Sequence, residues 1–155
     1  MRHRVRIGLV AFIVASSAGA APAQDVPAVI KQRQALMKAQ AEGLKVIQNY
    51  VNGDTNRGTA LAKVNELLSL PPKIADLFPP GTSIAEFPQA THAKPEIWQQ
   101  WDRFKDVPGA LQRAERRLAD AIGGGSKQDV LDQLDAVGRN GCGACHTSFR
   151  SPLKD

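Results

Sequence analysis

An all-α fold, an antiparallel four-helix bundle, is the architecture this 155-residue sequence predicts. Three observations carry that expectation. Apolar residues recur at spacings of three and four, which places them on one face of a helix. Alternating strand patterns are nearly absent. Proline and glycine breakers divide the chain into four helical stretches, a number that suits a single bundle domain. With 43% hydrophobic and 23% charged residues, the composition is ordinary for a globular protein. Wholesale disorder and a multispanning membrane protein are both excluded by it.

The first segment reads as an export signal rather than as fold. Met1–Arg6 is basic, residues 7–15 (IGLVAFIVA) are apolar and uncharged, and small residues lead to Ala21-Pro22-Ala23, an A-x-A cleavage site. The apolar run is too short for the ~20 residues of helix that span a bilayer. Residues 1–23 are therefore expected to be a cleaved secretory signal peptide and residues 24–155 the folded domain, located in the periplasm with no stable membrane insertion. Cleavage removes Arg2, Arg4 and Arg6 and no acid, so the net charge falls by three from +5. The excess that remains gives no argument for a nucleic-acid partner.

Helix by helix, the justification is local. Asp25 can cap a helix from Val26, with Pro27 tolerated in the first turn. Its stripe is Ile30, Arg33, Met37, Ala41, Leu44, Ile47 and Val51, and Asn52-Gly53 stops it. A second stripe, Leu61, Val64, Leu67, Leu68, Ile74, Leu77 and Phe78, continues across Pro71-Pro72, as one kinked helix or two short ones. Residues 78–94 hold Pro79-Pro80-Gly81 and Pro88 and form a long loop. A third helix opens at Pro95, carries Ile97, Trp101, Phe104, Leu111, Ala114, Leu118 and Ile122 in the core, bends at Pro108-Gly109 and ends at Gly123-Gly124-Gly125. Ser126 and Asp129 then resemble a capping box. The fourth helix carries Val130, Leu131, Leu134, Val137 and Phe149. Trp98, Trp101, Phe87, Phe104 and Phe149 read as bundle core, and Tyr50, near a helix end, is given no role.

Chemistry concentrates in Cys142-Gly143-Ala144-Cys145-His146. C-x-x-C-H is the attachment signature of c-type heme. Two thiols three positions apart can add to the two vinyl groups on one porphyrin edge as thioethers. The adjacent His146 can then bring an imidazole nitrogen to the iron. Covalent attachment suits an exported protein, which cannot easily regain a lost cofactor. A thioredoxin-like dithiol would place the first Cys at a helix N-terminus after a strand, where the dipole lowers its pKa; no strand precedes this motif. A disulfide between residues three apart closes almost no loop. A zinc site lacks two ligands, and His92, in the loop, reads as solvated.

On these residues the sequence resembles class II cytochromes c, the group that includes the cytochromes c′. In that family the heme motif lies in the last helix of a four-helix bundle, near the C-terminus. The family tail C-x-x-C-H-x-x-F-R is matched by Cys142, Cys145, His146, Phe149 and Arg150. Gln34-Ala35-Leu36-Met37-Lys38 in the first helix is also similar to family members, and alignment is loose in the Pro-rich middle.

The resemblance implies one heme c, with His146 as proximal ligand. It puts Met37, the one methionine after the signal, where the family has either a blocking apolar side chain or a low-spin sixth ligand. A thioether favours Fe(II), and His/Met ligation is typical of electron carriers. Arg33, one turn before Met37, corresponds to the family's partner for a heme propionate. The expected function is a periplasmic one-electron carrier of the low-spin six-coordinate Met/His branch, without enzymatic activity, exchanging electrons with periplasmic redox proteins. The alternative is a five-coordinate protein that binds nitric oxide or carbon monoxide, with Met37 as packing. Homodimers through the first two helices occur in the family.

Overall fold

A computed structural model describes residues 25–152. The expectation of a signal peptide at residues 1–23 lies outside these residues. Among the described residues six α-helices, two 3₁₀ turns and a π-helical segment occur, with one isolated β-bridge and no strand. The six are α1 (Val26–Asn52), α2 (Arg57–Leu67), α3 (Glu96–Gln99), α4 (Trp101–Gly124), α5 (Lys127–Ala136) and α6 (Ala144–Phe149). They make the four rods of a bundle, because α3 leads into α4, and α5 continues through the π segment (Val137–Gly143) into α6. α1 packs on α2 and α5, and α4 packs on the same two.

The helix ends follow the sequence. The Asp25 carboxylate accepts the Ala28 N–H at 3.3 Å, and Pro27 sits in the first turn where its missing N–H costs nothing. Gly53 ends α1 at φ 94°, a left-handed conformation that disfavours a side chain. Its N–H returns to the carbonyls of Asn49 and Tyr50. Ser126 and Asp129 form the reciprocal capping box that opens α5.

The seam of α1 keeps Ile30, Arg33 and Ile47 of the expected stripe, all buried, and elsewhere runs one residue earlier than expected. Val29, Arg33, Gln40, Gly43, Ile47 and Tyr50 are buried and Leu36 is half-buried, a repeat of fours and threes, whereas Ala41 is exposed and Met37 half-buried. Such a heptad is what a bundle helix presents to its neighbours. Gln40 and Gly43 hold two of its places, and an apolar count slides from them to Ala41 and Leu44.

After α2 the chain is neither one kinked helix nor two short α-helices. It makes two 3₁₀ turns, Pro71–Lys73 and Ala75–Leu77, with Ile74 and Phe78 still buried. Consecutive prolines remove two donors, and the shorter turn needs fewer. The expected third helix breaks at Gln100, and the second piece then runs through Pro108-Gly109 unbroken. This break puts Trp101 in the first turn of α4, 38% exposed, so it is not core. Phe104, Leu111, Ala114, Leu118 and Ile122 are buried as expected. Full burial of Leu118, Ile122, Val64 and Ile47 contributes ~1.5–3 kcal/mol each.

The long loop is fastened to the C-terminal end. Lys94 N–H donates to the Phe149 carbonyl at 3.0 Å, and Ser151 N–H to the His92 carbonyl at 2.9 Å. Trp98 is half-buried, and its indole N–H donates to the Phe78 carbonyl at 3.0 Å. These bonds hold residues 91–93 beside the end of α6, where the candidate site lies.

Candidate functional site

Between α1, α4 and the last rod lies a cavity of two lobes that meet at Met37, Phe104, Cys145 and His146. The larger lobe, about 240 Å³, opens to a polar mouth formed by Arg33, Gln34, Thr91, His92 and Arg150. The smaller, about 160 Å³, is apolar except for Gln40 and the shared His146; Leu36, Leu44, Val107 and Leu111 face it, and Cys142 closes it. All five residues singled out in the sequence therefore border one space. Cys142 is at one end, Arg33 at the other, and His146, Cys145 and Met37 lie at the junction.

The last rod sets the cysteines by a change of winding. Val137 and Phe149 are both buried, yet they are twelve apart, and an α-helix would turn them about 120° away from each other. The π segment between them widens the turn and absorbs that offset. It also brings the backbone close to α4: a Cβ on Gly141 would lie 2.6 Å from Leu111 Cδ1, so a larger residue there would push the leucine side chain aside. Sequence periodicity gives no sign of this segment, since apolar spacing alone does not distinguish π from α winding.

Both cysteines are free thiols. Burial pushes the Cys145 thiol up to about 11, with nearby Cys142 adding to the rise. Cys142 is also raised, by burial first and by Glu115 second. A dithiol oxidoreductase needs the opposite, a lowered thiol pKa. Among the described residues no group of three or more His, Cys, Asp or Glu gathers as a metal site would need. His146 is shifted down, by burial first and by the Arg150 charge second. The imidazole is then neutral near pH 7 and has a lone pair to offer a metal.

Arg33 is 5% exposed. Its Nη2 donates to the Thr82 carbonyl at 3.2 Å, and its guanidinium lies 4.3 Å from the centre of the Phe78 ring. Nη1 is buried with no partner. Burial lowers its pKa to about 10, which still leaves it charged at neutral pH. An unpaired buried donor of this kind is costly unless an anion completes it. Two thiols, a neutral imidazole, an apolar interior and an uncompensated cation at the polar mouth together fit a heme, whose acidic edge Arg33 would pair.

His92 is not simply a solvated loop residue. It is half-buried and borders the mouth, with Nδ1 3.4 Å from Ser151 Oγ. Thr91 and Arg150 reach the same mouth where the loop is fastened to the tail, and Gln34 reaches it from α1, its Nε2 donating to the Ala90 carbonyl at 2.9 Å; nothing in their sequence spacing announces it. Arg33→Leu should lower the midpoint potential, since a cation beside the cofactor favours the reduced form. Because a cation holds neighbouring acids ionised, its loss should move the pH-dependent part of the potential to higher pH. Spectroelectrochemistry across pH checks this; a curve identical to wild type removes Arg33 from the propionates.

Comparison with known proteins agrees with this geometry. Residues 28–150 match the family described as Cytochrome C′. The cytochrome c′ of Cereibacter sphaeroides is 32% identical over 147 residues, covering 92% of this chain and 95% of its own. That of Rhodospirillum rubrum is 30% identical, covering 94% and 98%. Among solved structures, the cytochrome c′ of Thermochromatium tepidum aligns with a TM-score of 0.72 at 26% identity, over 83% of this chain and 98% of its own. A ferrous variant of cytochrome c prime from Alcaligenes xylosoxidans with bound nitric oxide aligns with a TM-score of 0.68 at 25% identity, over 82% and 97%.

Proposed function

The chain belongs to the cytochrome c′ family, whose members carry covalent heme c, and on that footing we propose that it is an exported, periplasmic protein that takes up nitric oxide or carbon monoxide. The observation that carries the reading is the smaller lobe, lined by apolar side chains apart from Gln40 and His146; a solved relative is described with nitric oxide bound. Such a lobe favours a small uncharged diatomic over water or anions, which lose hydration on entering it. When bound, the heme would supply an iron that changes between Fe(II) and Fe(III). Cys142 and Cys145 would hold the group by thioethers, and His146 would bind the iron. Arg33 would pair a propionate at the mouth. Met37 of α1 borders both lobes together with His146 and would limit the room for a ligand. None of these roles requires turnover of a substrate.

A second reading has its own support. Met37 borders both lobes together with His146, and a thioether there can bind iron and raise its potential. The protein would then be a six-coordinate one-electron carrier between periplasmic redox proteins. The spin state of the ferric protein separates the two. The gas-binding reading expects a high-spin ferric spectrum and ready binding of nitric oxide by the reduced protein. A low-spin ferric spectrum with the far-red charge-transfer band of sulfur–iron(III) coordination overturns it in favour of the carrier.

A further inference from the structure

Behind Cys142, outside both lobes, lies a group that none of these roles uses. Glu115 of α4 is fully buried, at 0% exposure, and takes part in no ion pair among the described residues. Its one partner is Gln40 of α1, whose Nε2 donates to Glu115 Oε1. Two further atoms of this pair, Gln40 Oε1 and Glu115 Oε2, are buried acceptors with no donor. An ionised carboxylate thus leaves both wanting the same thing. One proton on Oε2 satisfies it at once, giving the carboxylic acid an O–H to donate and Gln40 Oε1 a bond to accept, as in a paired acid and amide.

We infer that Glu115 is a proton site coupled to the charge of the heme pocket: Oε2 takes a proton from solvent when the protein gains an electron, and returns it when the electron leaves. The inference rests on the heme reading of the cavity. A buried carboxylate is costly without a compensating positive charge. The oxidised pocket carries one more positive charge than the reduced one, so reduction removes the compensation. Coupling reaches across Cys142, which closes the apolar lobe and whose own thiol acidity responds to the Glu115 charge. The electron comes from a one-electron donor such as a redox mediator. The carboxylate oxygen becomes O–H, and oxidation reverses both transfers.

The surroundings add no rival charge. From α1 the facing group is the neutral Gln40, and from the π segment it is Cys142, uncharged once it is a thioether. No charged side chain of α2, α5, α6 or the Pro71–Lys73 turn acts on Glu115; burial and the Gln40 bond alone set its acidity. Burial is the larger of the two and pushes the carboxyl up to about 7, so small changes in pocket charge move its occupancy in the physiological range.

The test uses the wild-type holoprotein and Glu115→Gln, which keeps the shape and a partner for Gln40 but cannot titrate. Each is reduced at an electrode between pH 6 and 8 while proton uptake is read with an indicator dye. Wild type should take up a fraction of a proton per electron, largest near pH 7, and its potential should slope with pH, up to about 59 mV per unit for one proton. The variant should lose that part of the slope. Reduced-minus-oxidised infrared spectra of wild type made with ¹³C-glutamate, in a host that cannot make 5-aminolevulinate and is fed it unlabelled, should show a protonated carboxyl band that shifts with the label, which propionate bands then do not. Equal uptake in the variant overturns the inference, as does a wild type without the labelled band; the second arm decides even if the variant fails to fold. Ferric spin state, the measure of the gas-binding reading, is independent of either arm.

Discussion

Met37→Ala should speed the association of carbon monoxide with the ferrous protein by about tenfold or more. Met37 is half-buried on α1 and borders both lobes of the cavity, so a ligand entering the smaller lobe must displace its thioether chain. Alanine keeps the helix, being its strongest former, and leaves a methyl in place of that chain. A tenfold rate change corresponds to ~1.4 kcal/mol, well within the free energy of moving a packed methionine. The same truncation costs stability, near the lower end of the ~2–5 kcal/mol range because the side chain is only partly buried, so folding is checked first by circular dichroism. Flash photolysis gives the rate. In the gas-binding reading the ferric spectrum is high-spin before and after the change. If instead wild type is low-spin and the variant turns high-spin, Met37 was a ligand and the protein is a carrier. An unchanged rate would mean that Met37 does not guard the site.

The bundle and the site were legible in the sequence to different depths. Helix ends are local chemistry, and Asp25, Gly53 and the Ser126–Asp129 box act within four residues of themselves. Helix faces are tertiary, and here the apolar pattern misleads where the bundle seam holds Gln40, a polar residue that meets Glu115. Arg33 is polar too, yet it falls in the expected stripe and is buried at the mouth of the cavity. The stripe of α1 is thus displaced where a side chain is paired across the bundle. The five singled-out residues converge because C-x-x-C-H is contiguous, while Met37 and Arg33 came from resemblance to a family rather than from spacing. Glu115 went unnoticed for a physical reason. A charged residue between Arg113 and Arg116-Arg117 reads as a solvated face until α1 is laid against it.

Cys142→Ala together with Cys145→Ala should abolish covalent heme altogether. Acid–organic extraction of wild type should leave the colour with the polypeptide, and its intact mass should equal a chain beginning near Gln24 plus one heme. That one measurement also tests the signal peptide, since a chain that still starts at Met1 overturns export. The double variant should yield colourless protein, or protein that gives up its heme on extraction. Each single variant should keep one thioether and hence its colour. The asymmetry follows from the geometry: His146 and Arg33 can hold a heme by coordination and charge, but neither survives acid, which protonates the imidazole and the propionates together. Loss of the cofactor should also lower the thermal midpoint, because a group that binds only the folded state stabilises it. What remains without it is an apolar cavity and the buried, unpaired Nη1 of Arg33. A wild type that releases its heme on extraction would contradict the thioether assignment and return both thiols to the pool of unexplained buried cysteines.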